Sequence, residues 1–232
     1  GSPARPRCAC VCVICAPAPS WWGALRGRGA ARPPEGTAEI TRTFGLGLRL
    51  LPVSDDAIRT KVTTHDGGTL TFQEYFVRAQ HDVDVATVRF SGAIEARPTP
   101  EATVALRDAA VVVIAPSNPI VSVGPVLAVP GIGEALSLRR ESVIAVSPIV
   151  GGAALKGPAA RLMTNLGEEA SVVGVARRYA PFASALIIDT VDADLAGAVA
   201  QAGMTPVVAP SIMDTPERAA ELARVCLAGA PR

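Results

Sequence analysis

Two groups of polar and small residues stand where β-branched runs end: Ser117, Asn118, Ser122 and Gly124 after the first, Ser147, Gly151, Gly152 and Lys156 after the second. They belong to the units Val111–Pro125 (VVVIAPSNPIVSVGP) and Val143–Gly157 (VIAVSPIVGGAALKG). The loop after a buried parallel strand is where open α/β sheets bind phosphate-bearing ligands. The Ser and Asn side chains add donors beside backbone amides, and Gly124 lets the main chain approach a ligand closely. Pro125 reads as the start of a helix whose free N–H groups favour an anion. Turn chemistry alone also accounts for Ser, Asn, Pro and Gly, so ligand binding and a bare turn both stand for the first loop. The second loop lacks the Gly-x-x-x-x-Gly-Lys-Ser/Thr spacing of a P-loop. Lys156 suits a phosphate ligand and a solvated surface residue equally.

The adjacent acids Asp55 and Asp56 follow a short apolar segment and can hold magnesium beside a phosphate, although such pairs more often cap and turn the chain. Asp189 ends an apolar strand at the equivalent sheet edge, with helix capping as its commoner role. Covalent acyl chemistry is disfavoured, because His65 falls in a turn and His81 in an acidic loop. Aromatic residues make up 4% of the chain and do not interleave with basic ones, which argues against a base-stacking surface. Phosphoryl-type transfer asks mainly for oriented donors and a metal ion, and these residues suit it.

The elements that must position these groups are legible from periodicity. A chain of 232 residues, 49% hydrophobic and 19% charged, has room for one α/β domain or two small ones. Its net charge of +1 supplies no field for a nucleic acid or a membrane surface, and neither is expected as a partner. Leu48–Val53 reads as a strand. Thr60–Thr64 and Thr69–Phe72 flank His65-Asp66-Gly67-Gly68 and read as a β-hairpin. Gln73–Gln80 fits helix or strand, Val85–Ser91 a strand, and Pro100–Asp108 a helix with proline in its first turn. Four strand–loop–helix repeats follow. Their strands are Ala110–Ala115, Val143–Ser147, Ala185–Asp189 and Pro206–Ala209; their helices are Pro125–Leu138, Gly157–Leu166, Ala193–Ala202 and Thr215–Ala228. This alternation predicts an open, mainly parallel sheet with helices on both faces, Rossmann-like, with the β-hairpin as an insertion. Cys226 falls at helical spacing with Ala219, Leu222 and Ala223 and reads as a core residue.

Residues 1–38 follow a different grammar. Cys8, Cys10, Cys12 and Cys15 crowd one short run, yet the Cys12–Cys15 pair has no second pair to complete a metal site. The apolar run Cys8–Ala16 is too short to span a bilayer. The excess of Arg, Pro, Ala, Gly, Cys and Trp makes this stretch an atypical segment, disordered or misassigned, ahead of a domain at 39–232. The body reads as reduced and cytoplasmic, without a disulfide framework.

Four segments carry a family resemblance: LRLLPVSDDAIRTKV (Leu48–Val62), LTFQEYFVR (Leu70–Arg78), VVIAPSNPIVSVGPVLAVPGI (Val112–Ile132) and AVSPIVGGAALKGPAARLM (Ala145–Met163). Together they resemble the 2-phospho-L-lactate transferase family of coenzyme F(420) biosynthesis, over the chain from about Glu39 onward. The resemblance implies transfer of a phospholactyl or phosphoenolpyruvyl group from a GDP-linked donor to the ribityl hydroxyl of the deazaflavin Fo. It also implies release of GMP with the help of Mg2+, and a homodimer. It further implies that Ser117, Asn118, Ser122 and Gly124, with Gly151, Gly152 and Lys156, belong to the nucleotide and diphosphate site. Members of the family begin with a strand and a GGxGGA turn that this sequence does not show. The expectation is therefore an incomplete domain, defective in catalysis. A non-catalytic nucleotide- or sugar-nucleotide-binding regulator of the same fold is the competing expectation.

Overall fold

Short apolar runs without alternation, such as Val143–Val146 and Ala185–Ile188, suit strands covered on both faces, and that burial organises the fold. The computed structural model describes residues 11–14, 33–45, 47–79, 82–154 and 157–229. Strand β1 (Val11–Ile14), helix α1 (Pro33–Thr43) and strand β2 (Arg49–Pro52) form a parallel unit in which β1 pairs with β2 and α1 packs on β2. The expected boundary after residue 38 falls inside α1, and the strand at Val11–Ile14 was not foreseen. Cys8, Cys10 and Cys15 lie outside the described residues.

The hairpin forms as expected. Strands β3 (Arg59–Thr64) and β4 (Thr69–Thr71) pair antiparallel around a turn in which Gly67 has φ 88°, and β5 (Val85–Ser91) pairs with the other side of β3. Between β4 and β5 the ambiguous segment becomes a π-helical turn, Glu74–Arg78; Gln80 and His81 lie outside the described residues. Helix α2 (Pro100–Asp108) starts at Thr99, whose hydroxyl oxygen accepts the Ala102 N–H at 3.2 Å and donates to the Pro52 carbonyl at 2.9 Å. Its last carbonyls, which no helical N–H reaches, are covered by the Arg139 guanidinium, bonded to Leu106, Arg107 and Ala109.

The second half is the predicted parallel sheet. Along the chain come β6 (Val112–Ile114), the π-helical turn Pro119–Val123 running directly into α3 (Gly124–Leu127), α4 (Ile132–Leu138) and β7 (Val143–Val146). Then follow the two-residue strands β8 (Ile149–Val150) and β9 (Ala153–Ala154), α5 (Ala159–Asn165), α6 (Val172–Tyr179) and β10 (Ala185–Ile188). The chain closes with a 3-10 turn (Thr190–Leu195), α7 (Ala196–Gln201), β11 (Thr205–Val208) and α8 (Pro216–Ala228). The strand order is β11-β10-β7-β6, all parallel.

Successive side chains on a strand face opposite ways, and the two central strands divide accordingly. Ile144, Val146, Ala185 and Ile187 pack with Leu222 and Cys226 of α8. Val143, Ala145, Leu186 and Ile188 pack with Leu136 of α4 and Val172, Val175 and Ala176 of α6. Both faces are thus covered by helices, and Cys226 is a core residue whose thiol burial pushes up in pKa.

Two helical expectations are corrected. The single helix expected over Pro125–Leu138 begins earlier, at Pro119, and breaks after Leu127, where Pro130 and Gly131 (φ 87°) turn the chain by 90° into α4. Helix α6 was not foreseen, since two valines and a glycine in its first turn are weak helix formers. Ser171 starts it by accepting the Val173 and Gly174 N–H groups, and Gly174 is required because a Cβ there would lie 1.8 Å from the Glu169 carbonyl oxygen. Among the described residues no single helix is long and apolar enough to cross a membrane.

Candidate functional site

The loops after β6, β7, β10 and β11 share the C-terminal edge of the parallel sheet, and the first of them is built around Asn118. Its side-chain Oδ1 accepts the N–H groups of Ile120 (2.9 Å) and Val121 (3.1 Å), and its main-chain oxygen accepts those of Ser122 (3.1 Å) and Val123 (3.0 Å). With Pro119 lacking an N–H, every amide of this first turn is already paired. The expected open helix N-terminus at Pro125 is therefore corrected: Pro125 is interior to the helix, and the true N-terminus is spent on Asn118. What remains for a ligand is the Asn118 Nδ2, buried and without a partner among the described residues. The exposed hydroxyls of Ser117 and Ser122 flank it in sequence.

Gly124 takes a different role from the one expected. A Cβ at this position would lie 2.8 Å from the Cζ of Phe90 on β5, so the missing side chain lets the antiparallel sheet approach the helix rather than a ligand approach the loop. In the second loop Ser147 is buried and closes a local turn, its hydroxyl donating to the Ile149 carbonyl and accepting the Ile149 N–H. Gly151 (φ 59°) and Gly152 (φ 75°) form the tip between β8 and β9. The Gly151 N–H donates to both carboxylate oxygens of Asp192, at 3.2 and 3.0 Å. Gly152 has open space where a Cβ would stand. Lys156 lies outside the described residues.

Helix α5 brings the two loops together, packing against the Pro119–Val123 turn as well as against β5 and β9. The FQEYFVR segment joins them: Phe76, stacked on Phe72 with ring centroids 5.5 Å apart, lies 4.0 Å from the Cβ direction of Gly157. Arg161 on α5 anchors this side through Asp82 (2.7 Å) and Asp84 (3.4 Å), and Asn165 adds a bond to Asp84. Tyr75 is fully buried with no partner for its hydroxyl among the described residues, and burial raises its pKa to about 12 despite the nearby Arg161 charge.

The carboxylates at this edge serve the protein's own amides. Asp189 Oδ1 accepts from Val191 N–H and the Thr190 hydroxyl, while Oδ2 accepts from the Ser211 N–H (2.8 Å) and hydroxyl (3.0 Å). Burial pushes its pKa up, but those four bonds outweigh it and hold the carboxyl below its ordinary range. Asp189 thus caps the 3-10 turn and ties it to the loop after β11. Asp56 Oδ2 accepts the Arg97 N–H at 2.9 Å, and its own N–H is held by the Ser54 hydroxyl. The Asp55–Asp56 pair is therefore a turn and a cross-link in which Asp56 is already engaged, which does not fit the magnesium role considered for it. Among the described residues no group of three His, Cys, Asp or Glu is placed to hold a metal ion.

Asp192 and Ser211 were not foreseen as site residues, because no local motif marks them. Their partners lie 41 and 22 residues away and are neighbours only once the sheet is assembled. A surface cleft of about 480 Å³ lined by Arg140, Glu141, Ser184, Gly203 and Thr205 lies at the opposite sheet edge. Its guanidinium is committed to the Ala180 and Gly203 carbonyls.

An open parallel sheet with helices on both faces and a polar loop cluster at its C-terminal edge defines a Rossmann-like α/β protein. Residues 25–225 match the family model described as 2-phospho-L-lactate transferase CofD, and the chain belongs to that family. It is 41% identical over 186 residues to a phosphoenolpyruvate transferase of Kitasatospora aureofaciens, covering 78% of this chain and 58% of that protein. It is 37% identical over 196 residues to a 2-phospho-L-lactate transferase of Methanosarcina acetivorans, covering 84% of this chain and 63% of that one. The chain thus spans about three fifths of these relatives' length. A Bacillus halodurans crystal structure superposes with a TM-score of 0.60 at 17% identity, over 89% of this chain and 70% of that one. A second, described as a member of the UPF0052 family, gives 0.57 at 19%, over 88% and 69%. At such identities these show the shared fold.

Proposed function

We propose that this chain serves, in the cytoplasm, the transfer of a phosphoenolpyruvyl or phospholactyl group from a GDP-linked donor to the deazaflavin Fo in coenzyme F(420) biosynthesis. The acceptor hydroxyl oxygen attacks the distal phosphorus of the donor. A new phosphodiester P–O bond forms, the diphosphate P–O bond breaks, GMP leaves, and the hydroxyl proton passes to solvent. The phosphoenolpyruvyl donor is preferred, in keeping with the relative of that name at 41% identity.

The observation that carries the reading is the Asn118 Nδ2: a buried donor left over after the residue has satisfied four amides, at the sheet edge where phosphates bind. It orients a donor oxygen, with the Ser122 hydroxyl and the Gly151–Gly152 turn as neighbouring elements of the same cluster. The described carboxylates offer no magnesium cluster, so no step is assigned to that ion. Its requirement remains part of the proposal, as an ion that the donor's diphosphate can carry.

The test combines the chain with Fo, GDP-linked phosphoenolpyruvate or phospholactate, and magnesium, and measures GMP release with and without a chelator. Release that depends on both Fo and the donor would support the reading and remove the expected catalytic defect; neither release nor GDP binding would defeat the reading. Binding of GDP without release would favour the regulator alternative. Sizing by light scattering tests the proposed homodimer.

A further inference from the structure

We infer that Asp192 is a positioning residue for the Gly151–Gly152 turn. The inference rests on the transferase reading above. Asp192 is 4% exposed, and both of its carboxylate oxygens face the Gly151 N–H. The turn it holds has little else to fix it, since β8 and β9 are two residues each and pair through only Ile149–Ala154 and Val150–Ala153. A hydrogen bond to a buried carboxylate is stronger than a neutral ladder bond and fixes the direction of the amide plane.

The position of Asp192 is itself set by its neighbours. Its N–H donates to the Asp189 carbonyl at 3.0 Å, and Asp189 is anchored on Val191 and Ser211. A continuous set of contacts therefore runs from the loop after β11, through the loop after β10, to the glycine turn after β7. The Gly151 amide is committed to Asp192 and is not an anion donor; its partner's role is to aim the left-handed glycine pair. Asp192 touches no substrate in this scheme and acts through Gly151.

The test is steady-state GMP release by the wild-type chain and by Asp192→Ala, Asp192→Asn and Asp192→Glu, with melting temperatures and GDP affinity measured alongside. Asp192→Ala is expected to raise KM for the GDP-linked donor roughly ten-fold with a smaller change in kcat. Asp192→Asn keeps an oxygen that accepts the Gly151 N–H, and its KM should stay within about three-fold of wild type. Asp192→Glu keeps the charge but moves the carboxylate by a methylene, so it should resemble Asp192→Ala and carries the test if the alanine variant does not fold. An unchanged KM in Asp192→Ala or Asp192→Glu beside a lowered melting temperature would reduce the residue to a structural one and overturn the inference. So would an Asn variant as impaired as Ala. If wild type neither releases GMP nor binds GDP, the transferase reading fails first and the inference falls with it; activity in wild type with flat variants sinks the inference alone.

Discussion

Gly124 on the helix and Phe90 on β5 are packed so closely that a Cβ on residue 124 would stand 2.8 Å from the ring tip and 3.2 Å from Cε2. Alanine in a helix gains up to about 1 kcal/mol over glycine in propensity. Overpacking against a ring costs about 1–3 kcal/mol, so the clash is the larger effect. Gly124→Ala should destabilise the chain by about 1 kcal/mol in urea unfolding. Phe90→Leu combined with it should recover part of that loss, because the shorter side chain frees the space. A stabilised Gly124→Ala would show that the sheet and helix are not in register as described.

Asn118 joins two roles that a pair of substitutions separates. Asn118→Asp keeps the oxygen that accepts both the Ile120 and Val121 amides and removes the Nδ2 donor. Its melting temperature should stay close to wild type while its affinity for GDP falls roughly ten-fold, from the lost donor and the added negative charge. Asn118→Ala removes the cap as well and should lose a further ~1–2 kcal/mol of stability. Equal GDP affinity in wild type and Asn118→Asp, by calorimetry, would remove Asn118 from the site.

How far these roles could be read from the sequence depends on the range of the interaction. The hairpin, β5 and α2 were legible because Asp-Gly-Gly, strand alternation and Pro100 after Thr99 are local signals. The four parallel strands were legible too, since a doubly covered strand is a continuous apolar run. Asn118 was singled out for following a strand, and it does lie after β6. Yet the helix was started six residues late, because Ser117, Asn118 and Pro119 read as a loop and the β-branched Ile120 and Val121 are weak helix formers that hide the first turn Asn118 creates. Gly124 was given a ligand-facing role because nothing in its neighbourhood names Phe90. The pairing of Gly151 with Asp192 follows from β7 and β10 being adjacent, and no spacing along the chain encodes it.

Asp189 links acid stability to the sheet edge. Its folded pKa is depressed by the bonds from Ser211, Val191 and Thr190, relative to about 3.9 in an unfolded chain. A depressed carboxyl contributes stability that is present above the unfolded value and is lost as pH falls through the folded one. Wild type should therefore lose stability below about pH 4. Asp189→Asn, which places an amide among donors, should be weaker by about 2 kcal/mol at neutral pH. The gap should narrow as pH falls through the acid range. Denaturant midpoints measured across that range check it, and parallel curves for the two proteins would contradict the assignment.

The chain has two tyrosines, and both are fully buried with hydroxyls unpartnered among the described residues. Desolvation raises Tyr75 to about 12 and raises Tyr179 as well, in each case against a smaller opposing effect of a nearby arginine. An unfolded tyrosine ionises near 10, so the folded state should keep both protons where the unfolded state loses them. Stability from this source is complete below about pH 10 and is lost as pH rises toward 12. Tyrosinate absorbance should therefore appear together with unfolding rather than before it. Tyr75→Phe removes a hydroxyl that has no protein partner and should leave stability unchanged or raise it by up to about 1 kcal/mol. A loss of more than that in urea unfolding would mean that the Tyr75 hydroxyl is bonded after all, to a water or a ligand in the α5 cluster.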